Sequence, residues 1–119
     1  MSMSIAEDER CRQVAELFQP FLSERGDCCV VRSDRFGYIV LTYFVGGRFE
    51  DNDVFETASD LFDFLYSLWY FNWLCNKAEE NEVQEYENYE RTLTKAQRKE
   101  RTQIREKYRR AFKKIMKTE

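Results

Sequence analysis

The chain has 119 residues, of which 43% are hydrophobic, 16% aromatic and 34% charged, with four glycines and one proline. Such a composition excludes collagen-like, proline-rich and other low-complexity classes, and the aromatic share argues against global disorder. Histidine is absent, which removes Ser-His and Cys-His nucleophilic pairs, histidine general bases and histidine-bearing zinc sites together.

The net charge of -3 hides a segregation: residues 1–77 carry 7 basic and 13 acidic groups, residues 78–90 carry 6 acidic and no basic ones, and residues 91–119 carry 12 basic and 3 acidic. An acidic body and an acidic segment precede a strongly basic end, so local charge governs the choice of partner. Cys11, Cys28, Cys29 and Cys75 occur behind an N-terminus, MSMSIAEDER, with neither the basic nor the apolar region of a secretory leader. This predicts a reducing, cytoplasmic setting. No Cys-x-x-Cys spacing is present and the vicinal pair would point to opposite faces of a strand, so no metal or other cofactor is expected.

In chain order, Ser4 with Glu7 forms a capping box, and Cys11, Val14, Ala15, Phe18, Phe21 and Leu22 follow at helical spacing. A helix is predicted over residues 5–24, ending or kinking near residue 19 because Pro20 lacks an amide hydrogen, with Gly26 closing the segment. CCVVRS and YIVLTYFV flank Asp34 to Gly37 as an antiparallel hairpin. Neither face of the second run is polar, which predicts cover on both sides. Gly46 and Gly47 end or bulge it, and residues 48–50 or 54–56 could supply a short third strand at the edge.

Thr57 with Asp60 starts a second helix whose Leu61, Phe62, Phe64, Leu65, Leu68, Trp69, Phe71, Trp73 and Leu74 make it apolar nearly all round. It is expected at the core's centre, between the sheet and the C-terminal helices, with Ile39, Leu41, Leu65, Leu68 and Trp69 as core residues. The longest apolar stretch, Leu61 to Cys75, is interrupted by Asp63 and Asn72 and falls short of the ~20 residues of a bilayer span. From Ala78 on there is neither Gly nor Pro, and Thr94 with Gln97 forms another capping box. Two charged helices breaking near 92–94 are favoured over one rod. The predicted class is α+β, with residues 1–78 as an α+β core and 79–119 as a charged helical extension packed on it, one domain overall.

Glu50, Asp51, Asp53 and Glu56 lack the spacing of a calcium loop and are taken as solvated acids. No phosphate-binding, nucleophile-elbow or metalloprotease motif is present, which leaves an enzyme with a carboxylate or cysteine site as the last alternative. Arg98, Arg101, Arg105, Arg109 and Lys113 recur every three or four residues, joined by Arg110, Lys114 and Lys117, and form a basic stripe beside an apolar seam. Three roles compete for it. An antiparallel hairpin could lay Glu79 to Glu90 against the base, leaving Arg109 to Lys117 uncompensated; a nucleic acid could lie along residues 95–117; or an acidic protein surface could dock. Tyr70 and Trp73 on the aromatic helix are added as partner-binding candidates, since Tyr and Trp are favoured at interfaces. A homodimer is also compatible with this surface.

In this general character, small, histidine-free and charge-segregated, the chain resembles the small inhibitors and regulators carried by bacteria and their phages. The likeness implies a non-enzymatic protein-interaction module, an inhibitor or regulator acting through aromatic and charged helix surfaces. The alternative is a nucleic-acid-binding regulator that uses the basic helix.

Overall fold

The computed structural model describes residues 5–25, 29–33 and 38–117. They form an α+β arrangement in the order α1 (Ile5–Glu24), β1 (Cys29–Ser33), β2 (Ile39–Val45), β3 (Arg48–Phe55), α2 (Ala58–Glu80), a single 3-10 turn (Tyr86–Asn88) and α3 (Lys95–Met116). Ser4, Gly26, Cys28 and the hairpin loop Asp34 to Gly37 lie outside the described residues.

α1 does not end at Pro20; it runs through to Glu24. The ring removes the amide that would bond the carbonyl four residues back, but Phe21 and Leu22 in the next turn are buried, and that burial holds the last turn in place. The centre of the core also lies on α1, whose Cys11, Val14 and Phe18 are fully buried and which packs on both long helices and on the sheet. α2 shares that position as the buried aromatic helix, its Leu61, Leu65, Trp69 and Trp73 lying in the same cluster; it packs on α1, touches β3 and α3, and leaves Phe71 half exposed.

The three strands form one antiparallel sheet in the order β1-β2-β3. β3 is eight residues long, not the short edge predicted. Glu50 to Asp53 have low strand propensity, but the ladder offered by β2 overrides it: Ile39 pairs with Phe55, Leu41 with Asp53 and Tyr43 with Asp51. Gly46 and Gly47 have φ of 58° and 77°. Two successive left-handed residues give the tight turn whose twist matches that of paired strands, at a cost only glycine avoids. A bulge between Tyr43 and Phe44 then shifts the register.

Thr57 caps α2 by accepting the Asp60 amide, and the Glu7 carboxylate on α1 accepts the Ala58 amide, so the two helix starts are tied together. The acidic stretch after α2 is not a helix. Asn81 caps α2, Glu82 takes φ 58°, and the chain reaches Thr94 through the 3-10 turn with Leu93 buried as its anchor. A helix continued through this stretch would hold Glu79 near Glu82 and Glu87 near Glu90, like charges one turn apart. α3 begins where predicted, with the full Thr94 and Gln97 capping box.

Candidate interaction surface

α3 has two faces. Inward, the Tyr108 ring stacks on Phe18 at 4.5 Å and Phe112 stacks on Phe62 at 4.2 Å, while Ile115 is buried in the same cluster. These contacts fix the helix against α1 and α2 and hold its outer face rigid.

Part of the basic stripe turns toward this joint. The Arg101 guanidinium donates to the Tyr70 hydroxyl at 3.2 Å and lies 3.8 Å from the Glu90 carboxylate, and the Arg105 guanidinium sits 4.5 Å above the Tyr70 ring. Trp73 is buried, its indole N–H donating to Glu100 at 3.0 Å, and Lys77 pairs with the same carboxylate at 3.4 Å while lying over the Trp73 ring. Tyr70 and Trp73, singled out as partner-binding candidates, therefore belong to the packing between α2 and α3; Trp73 presents no open face. The reason is geometric: α3 crosses α2 at the side that carries both rings. Glu100 and Lys77 complete this joint and were not anticipated, although Glu100 stands out as one of two acids in the basic helix.

The remaining stripe faces outward. Arg98 is exposed and donates to the Arg91 carbonyl at 3.3 Å, and Arg110 is exposed and pairs with Glu106 at 3.5 Å. Lys114 is exposed as well. Arg109, Lys113 and Lys117 are exposed, and no ion pair reaches them from the described residues. The predicted hairpin of acid against base does not form, because residues 81–94 are irregular. A single ion pair, Glu90 with Arg101, joins the acidic segment to α3 among the described residues. No family model, curated protein or solved structure matches this chain.

The acids of residues 50–56 lie on and just after β3, where Asp53 accepts the Tyr43 hydroxyl at 2.8 Å; that bond follows burial in raising the Tyr43 phenol above its ordinary range. Among the described residues no group of three or more Cys, Asp or Glu converges to hold a metal ion. Burial, with Glu7 and Asp8 nearby, pushes the Cys11 thiol up to about 12, so this cysteine stays protonated at neutral pH. No helix among the described residues is long and apolar enough to cross a membrane.

Proposed function

We propose that the protein is a non-enzymatic interaction module whose outward α3 face docks on an acidic protein surface, inhibiting or regulating by occupying it. The observation that carries this reading is the row Arg109, Lys113 and Lys117, exposed and without an ion pair among the described residues, on a helix held rigid from behind. Like charges at this spacing repel, and an external anion relieves the repulsion. A compact acidic patch can meet α3 alone. A long polyanion would also run over the body, whose residues 1–90 carry 19 acidic groups against 7 basic, and be repelled there. Nucleic acid is the second reading, favoured by the same row, since unpaired cations on a helix suit phosphates.

The test compares the wild type with Arg109→Glu/Lys113→Glu for retention on an immobilised short glutamate peptide, which spans only the α3 row, and on single-stranded DNA, from low to physiological salt. We expect the wild type to be held by the glutamate peptide and the variant to lose ~10-fold or more in affinity with its circular dichroism unchanged, the loss being largest at low salt. Stronger, salt-steep retention on DNA would move the assignment to nucleic acid. Equal retention of variant and wild type on both supports would remove α3 as a binding surface.

A further inference from the structure

Where the three helices meet they leave a cavity of about 210 Å³, bounded by Phe21 and Glu24 of α1, by Trp69 and Trp73 of α2 and by Tyr108 of α3. Asn72 and Asn76, one turn apart on α2, add amides to its lining. Glu24 is exposed, and among the described residues no ion pair reaches its carboxylate. That carboxylate stands close enough to the Tyr108 hydroxyl to oppose its ionisation, second to burial. Two of the rings already attract a cation from the chain: Lys77 lies 5.6 Å from the Trp73 centroid, and the Arg25 guanidinium 5.8 Å from that of Phe21. Neither cation serves Glu24. Arg25 donates to Asn72 at 3.4 Å, and Lys77 is held by Glu80 at 3.3 Å and Glu100 at 3.4 Å. Arg101 and Arg105 turn to Tyr70, which does not line the cavity.

We infer that this cavity binds an organic ammonium group on an aliphatic stem, the charge lying at Glu24 and the stem against the Phe21 and Trp69 walls. An anion would meet the Glu24 carboxylate and the negative faces of aromatic rings. A neutral apolar guest would take water from that carboxylate and return no hydrogen bond. A bare calcium or magnesium ion needs more oxygen ligands than one carboxylate and two amides supply. An ammonium carries three donors, for which the Glu24 carboxylate, the Tyr108 hydroxyl and the Asn76 amide oxygen offer acceptors. The cavity is smaller than the roughly 300 Å³ at which drug-sized sites begin, which suits one small cationic group. Such a group arrives either as a free amine or as the lysine side chain of another protein. The outward row of α3 takes no part in this cavity, so the inference stands apart from the surface proposed above.

Trp69 and Trp73 are the only tryptophans of the chain, so its intrinsic fluorescence reports on the site. The test titrates the full chain at constant ionic strength with n-butylammonium chloride, with lysine blocked as its N-acetyl amide, and with n-butanol as the neutral counterpart. A saturable change is expected with the ammonium probes and none with n-butanol. Glu24→Gln, at an exposed position, is expected to weaken n-butylammonium binding ~10-fold or more with circular dichroism unchanged, the usual effect of losing a charged hydrogen-bond acceptor. Asn76→Asp, also at an exposed position, places a second carboxylate at the cavity and is expected to tighten binding; it serves as the test should Glu24→Gln disturb the fold. Saturation by blocked lysine as well as by n-butylammonium assigns the site to a protein side chain, and saturation by n-butylammonium alone assigns it to a free amine. The inference is overturned if no ammonium probe saturates, if n-butanol gives the same response, or if folded Glu24→Gln binds like the wild type.

Discussion

Cys11, Tyr43 and Tyr108 share one property: the fold holds each in its neutral form. Burial is the first cause in all three, followed by Glu7 and Asp8 for Cys11, by the Asp53 hydrogen bond for Tyr43 and by Glu24 for Tyr108. Below pH ~8.5, the ordinary thiol value, folded and unfolded chains both keep the Cys11 proton and stability is complete. Above it the unfolded chain releases the proton while the folded one holds it up to about 12, so stability falls as pH rises. The tyrosines add to the loss beyond pH ~10. Urea unfolding at intervals from pH 7 to 10.5 should show a plateau and then a decline, and Cys11→Ala, less stable at pH 7, should show a shallower one. A wild-type curve flat to pH 10.5 would contradict this account. At this scale the sequence was informative where burial is two-sided: Ile39, Leu41, Leu65 and Trp69 are buried as expected. Leu68 is only half buried, because an all-round apolar helix does not reveal which side its neighbours leave open. Leu65→Ala should therefore cost ~2 to 5 kcal/mol in urea unfolding and Leu68→Ala clearly less.

Among the elements, those announced by local chemistry were legible and those made by partners were not. α1, the starts of α2 and α3 and the strand β2 follow from helical spacing, capping residues and β-branched runs. β3 was hidden because its strand character comes from β2, not from Glu50, Asp51, Asn52 and Asp53. The irregular 81–94 segment was hidden because Glu and Gln favour helix individually, and only the summed repulsion of the glutamates and one amide pair set its path. In that pair Asn81 donates to Gln97 at 2.9 Å and Gln97 returns a bond at 3.1 Å, while the Gln97 oxygen also accepts the Thr94 amide. Gln97 thus serves the α3 cap and the path of the loop together. Thr94→Ala should cost ~1 kcal/mol in urea unfolding, the usual loss of a cap, and Gln97→Ala at least as much. Asn81→Ala combined with Gln97→Ala should cost less than the sum of the two alone, by ~0.5 kcal/mol or more. Strict additivity would mean that the amide pair does not hold the segment.

At the scale of the whole molecule, a change in charge sets the basic end apart from the acidic body, but charge does not say whether the body stands alone. The packing answers differently from the composition. Leu93 and Ile115 are buried in the same cluster as Cys11, Phe18 and Leu65, and Tyr108 and Phe112 cover the Phe18 and Phe62 rings. Ending the chain at Glu90 would expose those rings and strip Trp73 of its Glu100 acceptor. It would also leave 19 acidic groups against 7 basic, so that self-repulsion opposes compaction just as apolar cover is lost. We expect the 1–90 fragment to bind a hydrophobic dye, to lose the near-ultraviolet signal of its tryptophans and to unfold without a cooperative transition. The full chain with Arg109→Glu/Lys113→Glu should stay within ~0.5 kcal/mol of the wild type, since those side chains are exposed. The contrast separates two contributions of one helix: the inner face completes the core, and the outer face is left for a partner. If the 1–90 fragment instead melts cooperatively with the full chain's near-ultraviolet spectrum, α3 is an attachment to a self-sufficient body. If the charge reversal alone unfolds the chain, the outer face serves stability and the division between the two faces fails.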